Sequence, residues 1–285
     1  DLHAAGPRSG QAAPLSRKKD PTVRRFTREQ WLDICGGCHS RRAELTGDYA
    51  PGDDFANHYS LTIPDETDLY YPDGQVREED YEFASFLGGR MYAAGVRCWD
   101  CHEVHSAKVP TTENMLCMRC HNGQYTNAPV VDPLAHSFHK PGGSGDRCVD
   151  CHMPLTVYMQ RHARRDHGFT IPDPLLTKQH RIPNACGRCH QDKTVEWAME
   201  TVDKWYGKRM DRPTRARAQV VAQARAGQTA ALTNLLTLAR TEPIPLWRAV
   251  ATGLLKPWCE DPQVTAELIE RAGDTNALVR AFAIR

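Results

Sequence analysis

The chain has 285 residues, 36 basic and 35 acidic side chains and a formal net charge of +1, so there is room for one large or two medium domains and no charge excess of the kind nucleic-acid binding requires. Mean hydropathy is −0.58 and no apolar run approaches the length of a membrane-spanning helix, which excludes a helical transmembrane anchor within this sequence. Eleven cysteines are many for such a chain, and their spacing carries most of the information.

Residues 1–25 are rich in Gly, Pro, Ser and Arg without periodicity and are expected to form an extended arm, with a basic cluster at Arg17, Lys18, Lys19, Arg24 and Arg25. The sequence begins at Asp1 with neither a methionine nor a leader, as expected of a processed exported protein or of a fragment. Thr27 followed by Gln30 has the form of a capping box and predicts a short helix that delivers Cys35. Residues 40–97 hold His58, a turn at Tyr71-Pro72-Asp73-Gly74 and a helical stretch from about Glu78 to Tyr92, in which Tyr81, Phe83, Ala84, Phe86, Leu87 and Met91 offer an apolar side. Between Cys117 and Cys186 the chain is loop-rich, around Lys140-Pro141-Gly142-Gly143-Ser144-Gly145 and Ile171-Pro172-Asp173-Pro174. Thr194 to Tyr206 reads as an amphipathic helix carrying Val195, Trp197, Ala198, Val202 and Trp205. Beyond it, Leu246-Trp247-Arg248-Ala249-Val250-Ala251 aligns with Leu278-Val279-Arg280-Ala281-Phe282-Ala283 at an offset of 32 residues, and Ala216-Arg217-Ala218-Gln219-Val220 fits more loosely. Helix pairs at such a period point to an α-solenoid of the HEAT type, and Cys259 within it is expected to be a small buried hydrophobe.

The other ten cysteines fall in five copies of C-x-x-C-H: Cys35, Cys38 and His39; Cys98, Cys101 and His102; Cys117, Cys120 and His121; Cys148, Cys151 and His152; Cys186, Cys189 and His190. Two cysteines three positions apart reach the two vinyl groups of one porphyrin as thioethers, and the histidine directly after them is then held under the iron. Zinc is a rival, because fifteen residues separate Cys101 from Cys117, a spacing that zinc ribbons use, but zinc does not require a histidine at the next position five times over. Disulfides and a thioredoxin-like pair leave those histidines unexplained as well. The expectation is therefore five covalently bound haem c groups with their iron. Covalent attachment takes place on the oxidising side of a membrane, so a periplasmic or extracellular location is expected. Two propionates per haem add about ten carboxylates. Arg41, Arg42, Arg97, Arg119, Arg147 and Arg188, beside the motifs, are candidate partners for them.

The second axial position decides function: a second histidine gives a low-spin iron suited to moving electrons, whereas an open position permits substrate chemistry. Eight histidines lie outside the motifs: His3, His58, His105, His136, His139, His162, His167 and His180. His105 follows His102 by three residues and, from that anchored segment, reaches a neighbouring iron more readily than its own. His58, His139 and His167 stand in loops between motifs, and His136, three residues before His139, is placed to serve a different haem. His162 and His180 are reserves, and Met115, Met118 and Met153 are weaker candidates because histidines are in surplus.

Across residues 31 to 207 the chain resembles bacterial multihaem c-type cytochromes in which a haem domain of the hydroxylamine oxidoreductase and cytochrome c nitrite reductase lineage is joined to HEAT or tetratricopeptide repeats. The resemblance is carried by Cys38-His39-Ser40-Arg41-Arg42, His58-Tyr59, Tyr71-Pro72-Asp73-Gly74, Ser85-Phe86-Leu87 through Met91 to Val96, His136 through Phe138-His139-Lys140-Pro141-Gly142, Cys151-His152-Met153-Pro154, Arg165-Asp166-His167, and Pro183-Asn184-Ala185-Cys186 on to Trp205-Tyr206-Gly207. It implies that His58, His105, His136, His139 and His167 are the distal iron ligands. Members of this group commonly carry further motifs upstream, whereas the first 34 residues here hold none.

These readings give an all-α chain: an arm over residues 1–25, a loop-rich pentahaem domain over 26–192 and a HEAT-like solenoid over 193–285. The expected function is electron transfer between redox-protein partners through mainly bis-histidine haems, with the helical arm for docking. Two rivals are an oxidoreductase acting on a small nitrogen or sulfur compound at an open haem, and a subunit of a polymeric cytochrome wire with His3 reaching a neighbouring copy. No lysine stands in a C-x-x-C-K frame to favour a site of the nitrite-reductase type.

Overall fold

The structure, a computed structural model, describes residues 26–78, 81–111, 113–158 and 160–285, so the expected N-terminal arm, its basic cluster and His3 lie outside the described residues. α1 (Arg28–His39) begins at the predicted capping box, in which the Gln30 amide donates to Thr27 Oγ1 at 3.2 Å and the Thr27 amide to Gln30 Oε1 at 3.0 Å. The helix ends in the first C-x-x-C-H. β1 (Arg42–Glu44) then pairs antiparallel with β2 (Tyr59–Leu61), Ala43 opposite Ser60, and α2 (Phe55–His58) leads into β2. At the predicted turn the Gly74 amide donates to the Tyr71 carbonyl at 2.9 Å. Gly74 has φ +92°, and a Cβ there would stand 2.8 Å from the Trp247 ring, so both backbone and space demand glycine.

The single helix expected from Glu78 to Tyr92 is divided into α3 (Glu82–Leu87) and α4 (Arg90–Ala93). The break falls at Gly88-Gly89. Trp247 Nε1 donates to the Gly88 carbonyl at 2.9 Å, and a Cβ on Gly88 would meet Leu246 and Trp247 at 3.2 Å. A contact with a residue far along the chain thus overrides the local helical pattern.

Single helical turns follow at the motifs: α5 (Cys98–Cys101), α6 (Met115–Met118), α8 (Cys148–His152) and α10 (Cys186–Cys189). Between them lie α7 (Pro133–Ser137), the hairpin of β3 (Leu155–Tyr158) and β4 (His162–Arg165), and α9 (Pro174–His180). Among the described residues the fold is helix-rich, and the all-α expectation omits the two short antiparallel strand pairs, whose strands of three or four residues leave little period to read.

The C-terminal helices are α11 (Val195–Tyr206), α12 (Pro213–Arg225), α13 (Leu232–Thr241), α14 (Pro245–Leu254), α15 (Pro262–Arg271) and α16 (Ala277–Ile284). The two aligned segments lie in α14 and α16, which pack on one another, while α13 packs on α14 and α15 on α16. Equivalent arginines make equivalent bonds. Arg248 Nη1 donates to the Glu242 carbonyl at 3.0 Å and Arg280 Nη1 to the Asp274 carbonyl at 2.8 Å, each tying a helix to its own preceding turn. Arg217 Nη1 reaches Glu242 Oε1 at 3.4 Å and Arg248 Nη2 reaches Asp274 Oδ1 at 3.1 Å, each tying one helix to the next turn. One core joins Phe55, Ile63, Tyr70, Phe83 and Phe86 to Leu246, Trp247, Val250, Val279 and Phe282. Cys259 is exposed, against expectation, because it lies in the turn between α14 and α15 rather than on a packed helix face.

Candidate haem-binding site

The motif turns are fixed locally. Where Asp stands before the second cysteine and Arg before the first, the two close an ion pair: Arg97 Nη2 to Asp100 Oδ1 and Arg147 Nε to Asp150 Oδ2, both 2.8 Å. These arginines and Arg119 and Arg188 each bond a protein group, and Arg42 lies over the Tyr59 ring at 4.4 Å.

The motif imidazoles are oriented through Nδ1. His102 Nδ1 meets the Ala107 carbonyl at 3.3 Å, His121 Nδ1 that of Pro129 at 2.9 Å and His152 Nδ1 that of Thr170 at 2.9 Å. A carbonyl only accepts, so Nδ1 carries the proton and Nε2 is left as a metal donor. The same holds for His139, bonded to the Ser137 carbonyl at 2.6 Å, and for His167, bonded to the Arg165 carbonyl at 2.9 Å. Burial lowers the pKa values of His136, His152 and His167, favouring the neutral ring that ligates.

These rings and that of His190 form three facing pairs. His102 and His167 have ring centres 6.2 Å apart and planes at 28°; His136 and His152 are at 6.0 Å and 17°; His139 and His190 are at 6.2 Å and 42°. Iron bonded at about 2 Å to a nitrogen of each of two imidazoles would set their ring centres about 6 Å apart, the separation these three pairs have.

The other candidates are placed differently. His39 Nδ1 lies 3.7 Å from Glu82 Oε2, which raises its pKa. His58 Nδ1 is 2.5 Å from Thr46 Oγ1 and 3.3 Å from Asp48 Oδ1, with Asp53 near Nε2. His105 is exposed beside Glu103, His162 is exposed in β4, and His180 ends α9. Among the described residues no imidazole ring contact falls on His39 or His121.

α11 forms one wall of the site. Trp197 lies 4.9 Å from the His190 ring, Trp205 stands 5.9 Å from His139, and Tyr206 is 5.5 Å from His136 and donates to its carbonyl at 2.8 Å. Its pattern marked it only as amphipathic. Asp166 also escaped the sequence reading as a positioning residue: its buried carboxylate accepts from the Val76 amide at 2.8 Å and the Gly168 amide at 2.7 Å, fixing the loop that presents His167. Asp173, also buried, accepts from Arg212 at 3.0 Å and from Arg215 Nε at 2.7 Å, tying that loop to α12.

Consecutive motifs are joined in chain order. Trp31 and Trp99 meet at 5.7 Å, and the side chains of Cys35 and Cys98 are hydrogen-bonded. Arg119 Nη1 donates to the Asp100 carbonyl at 3.1 Å, and Cys101 interacts electrostatically with Cys120. Asn114 bonds both the Asp146 carbonyl and the Cys148 amide at 2.8 Å, and Cys117 is hydrogen-bonded to Cys148. Arg188 donates to the Leu155 carbonyl and to Thr156 Oγ1, and Cys151 interacts electrostatically with Cys186 and Cys189. None of the eleven cysteines is disulfide-bonded to another.

A family model for cytochrome c552 matches residues 134–235. Among curated proteins, the multiheme cytochrome MtrA of Shewanella baltica (strain OS185) is 31% identical over 119 residues, 40% of this chain and 30% of MtrA. Among solved structures, the outer cell wall cytochrome OcwA superposes with a TM-score of 0.50 over 89% of this chain and 63% of its own, at 16% identity, a likeness of fold. The chain thus matches less than a third of the length of MtrA and under two thirds of OcwA.

Proposed function

We propose that this chain, a multihaem c-type cytochrome by its motifs and its relatives, is an exported electron-transfer protein carrying five haem c groups in a row. The observation that carries the reading is the chain order in which the motifs meet: Trp31 on Trp99, Arg119 on the Asp100 carbonyl, Asn114 on the Cys148 amide and Arg188 on Thr156. Thioether sulfurs would be bonded at the porphyrin edge, so motifs that meet in this order would bring successive edges together and favour electron movement in chain order. When bound, the haems supply one-electron redox chemistry. The chain's part is to hold each edge, to present a neutral Nε2 and to screen water with α11.

His58, His105, His136, His139 and His167 are the proposed distal ligands. His136, His139 and His167 are supported by their spacing from His152, His190 and His102. Residues 193–285 are proposed to be a HEAT-like unit that docks redox partners, a reading supported by the matching bonds of Arg217, Arg248 and Arg280. The placement in the hydroxylamine oxidoreductase and nitrite reductase lineage, and the periplasmic or extracellular location, belong to the same proposal.

The rival reading, an oxidoreductase with an open haem, draws on the lack of an imidazole ring contact at His39 and His121 among the described residues. Low-temperature EPR of the oxidised protein before and after nitrite or hydroxylamine separates the two. The conduit requires low-spin signals that do not respond, and the enzyme requires a high-spin signal that does.

A further inference from the structure

Glu82 opens α3 with its side chain mostly enclosed, 26% exposed, and Oε2 stands 3.7 Å from His39 Nδ1. The other motif histidines with an Nδ1 partner, His102, His121 and His152, have backbone carbonyls there, as do His139 and His167. A carboxylate is therefore a departure at this one motif histidine. Its placement is built in by packing. The buried Phe83 ring lies on Gly36, between Cys35 and Cys38, so closely that a Cβ on Gly36 would be 2.7 Å from it. The adjacent residue is thereby carried to the adjacent histidine. Glu82 also interacts electrostatically with His167, which faces His102, and Arg164 lies near enough to act on both Glu82 and His39.

We infer that Glu82 sets the potential of the haem held by Cys35, Cys38 and His39, making it the low-potential end of the row. A carboxylate facing Nδ1 raises the basicity of Nε2 toward iron and adds negative charge beside it, and both effects stabilise the ferric over the ferrous state. A neutral carbonyl does the first weakly and the second hardly at all. Glu82 is a positioning residue that acts through His39, and its influence on the His102 and His167 pair is the smaller one because no contact with either ring is made through Nδ1.

The inference rests on haem attachment at the first motif, and the test keeps the two apart. Purified holoprotein, Glu82→Gln, Glu82→Asp and Arg164→Gln are compared by haem content and by spectroelectrochemical titration, with a Cys35→Ala/Cys38→Ala variant to identify the component that belongs to the first motif. Glu82→Gln is expected to raise that component by about a tenfold change in its ferric to ferrous equilibrium, about 59 mV for one electron. Glu82→Asp returns it toward the parent value, and Arg164→Gln, which removes the facing cation, moves it downward. Unchanged midpoints in Glu82→Gln at full haem content overturn the inference, as does a shift confined to a component that survives in the Cys35→Ala/Cys38→Ala variant. Haem content unaltered by the double cysteine change overturns attachment at the motif itself.

Discussion

Trp205 lies parallel to Phe138, their ring centroids 4.8 Å apart and their planes 9° apart, and its edge reaches His139 5.9 Å away. Phe138 has φ +56°, a left-handed conformation that a bulky residue adopts only when its surroundings hold it. The stack therefore fixes the turn that aims His139 at His190. Trp205→Ala is expected to cost about 2 kcal/mol from lost apolar burial and to loosen His139, the proposed axial ligand, seen as a broadened low-spin signal, whereas Trp205→Phe keeps most of both.

His136 faces His152 across 6.0 Å and takes part in no other motif pair. His136→Ala is expected to convert one haem to high spin and leave the others unchanged, measured by magnetic circular dichroism in the near infrared. Imidazole added to the variant should restore the low-spin spectrum.

Asp73 accepts from the Gln75 amide at 3.1 Å and from Gln75 Nε2 at 2.7 Å, and burial raises its pKa from 3.8 to about 6. Asp166, Arg217 and Arg225 act on it or respond to it from the surrounding elements. A carboxyl raised on folding binds its proton more tightly in the folded chain. Its contribution is therefore fully present below pH 3.8, falls as pH rises toward about 6, and is level beyond. Thermal unfolding of Asp73→Asn at pH 4 and pH 7 is expected to show the variant gaining on the parent by about 2 kcal/mol between the two.

Arg248 and Asp274 form a largely enclosed pair at 3.1 Å, their side chains 16% and 6% exposed. Either alanine substitution is expected to cost about 3 kcal/mol. The double substitution should cost less than the sum of the two, because each single change already loses the shared bond. Hydrogen exchange should quicken in α14 and α16 first.

What could be read from the sequence depended on how local the cause was. The five attachment motifs, the Thr27 cap and the 32-residue offset between Leu246 and Leu278 are fixed by spacing along the chain, and the structure has helical turns, a capping box and paired helices at those positions. The division of the helix at Gly88 was not legible, because its cause is Trp247, a residue from another part of the chain. The same applies to Asp166, which bonds the distant Val76, and to Glu82 beside His39. Cys259 was misjudged because composition cannot separate a helix face from the turn beside it.

The central claim, five haems in one low-spin row, is tested most directly by determining haem per chain together with low-temperature EPR of the oxidised protein. The account predicts five haems per chain, low-spin signals only, and broadening from magnetic coupling between neighbours. Fewer than five haems, or a high-spin signal that changes on adding nitrite or hydroxylamine, would contradict it.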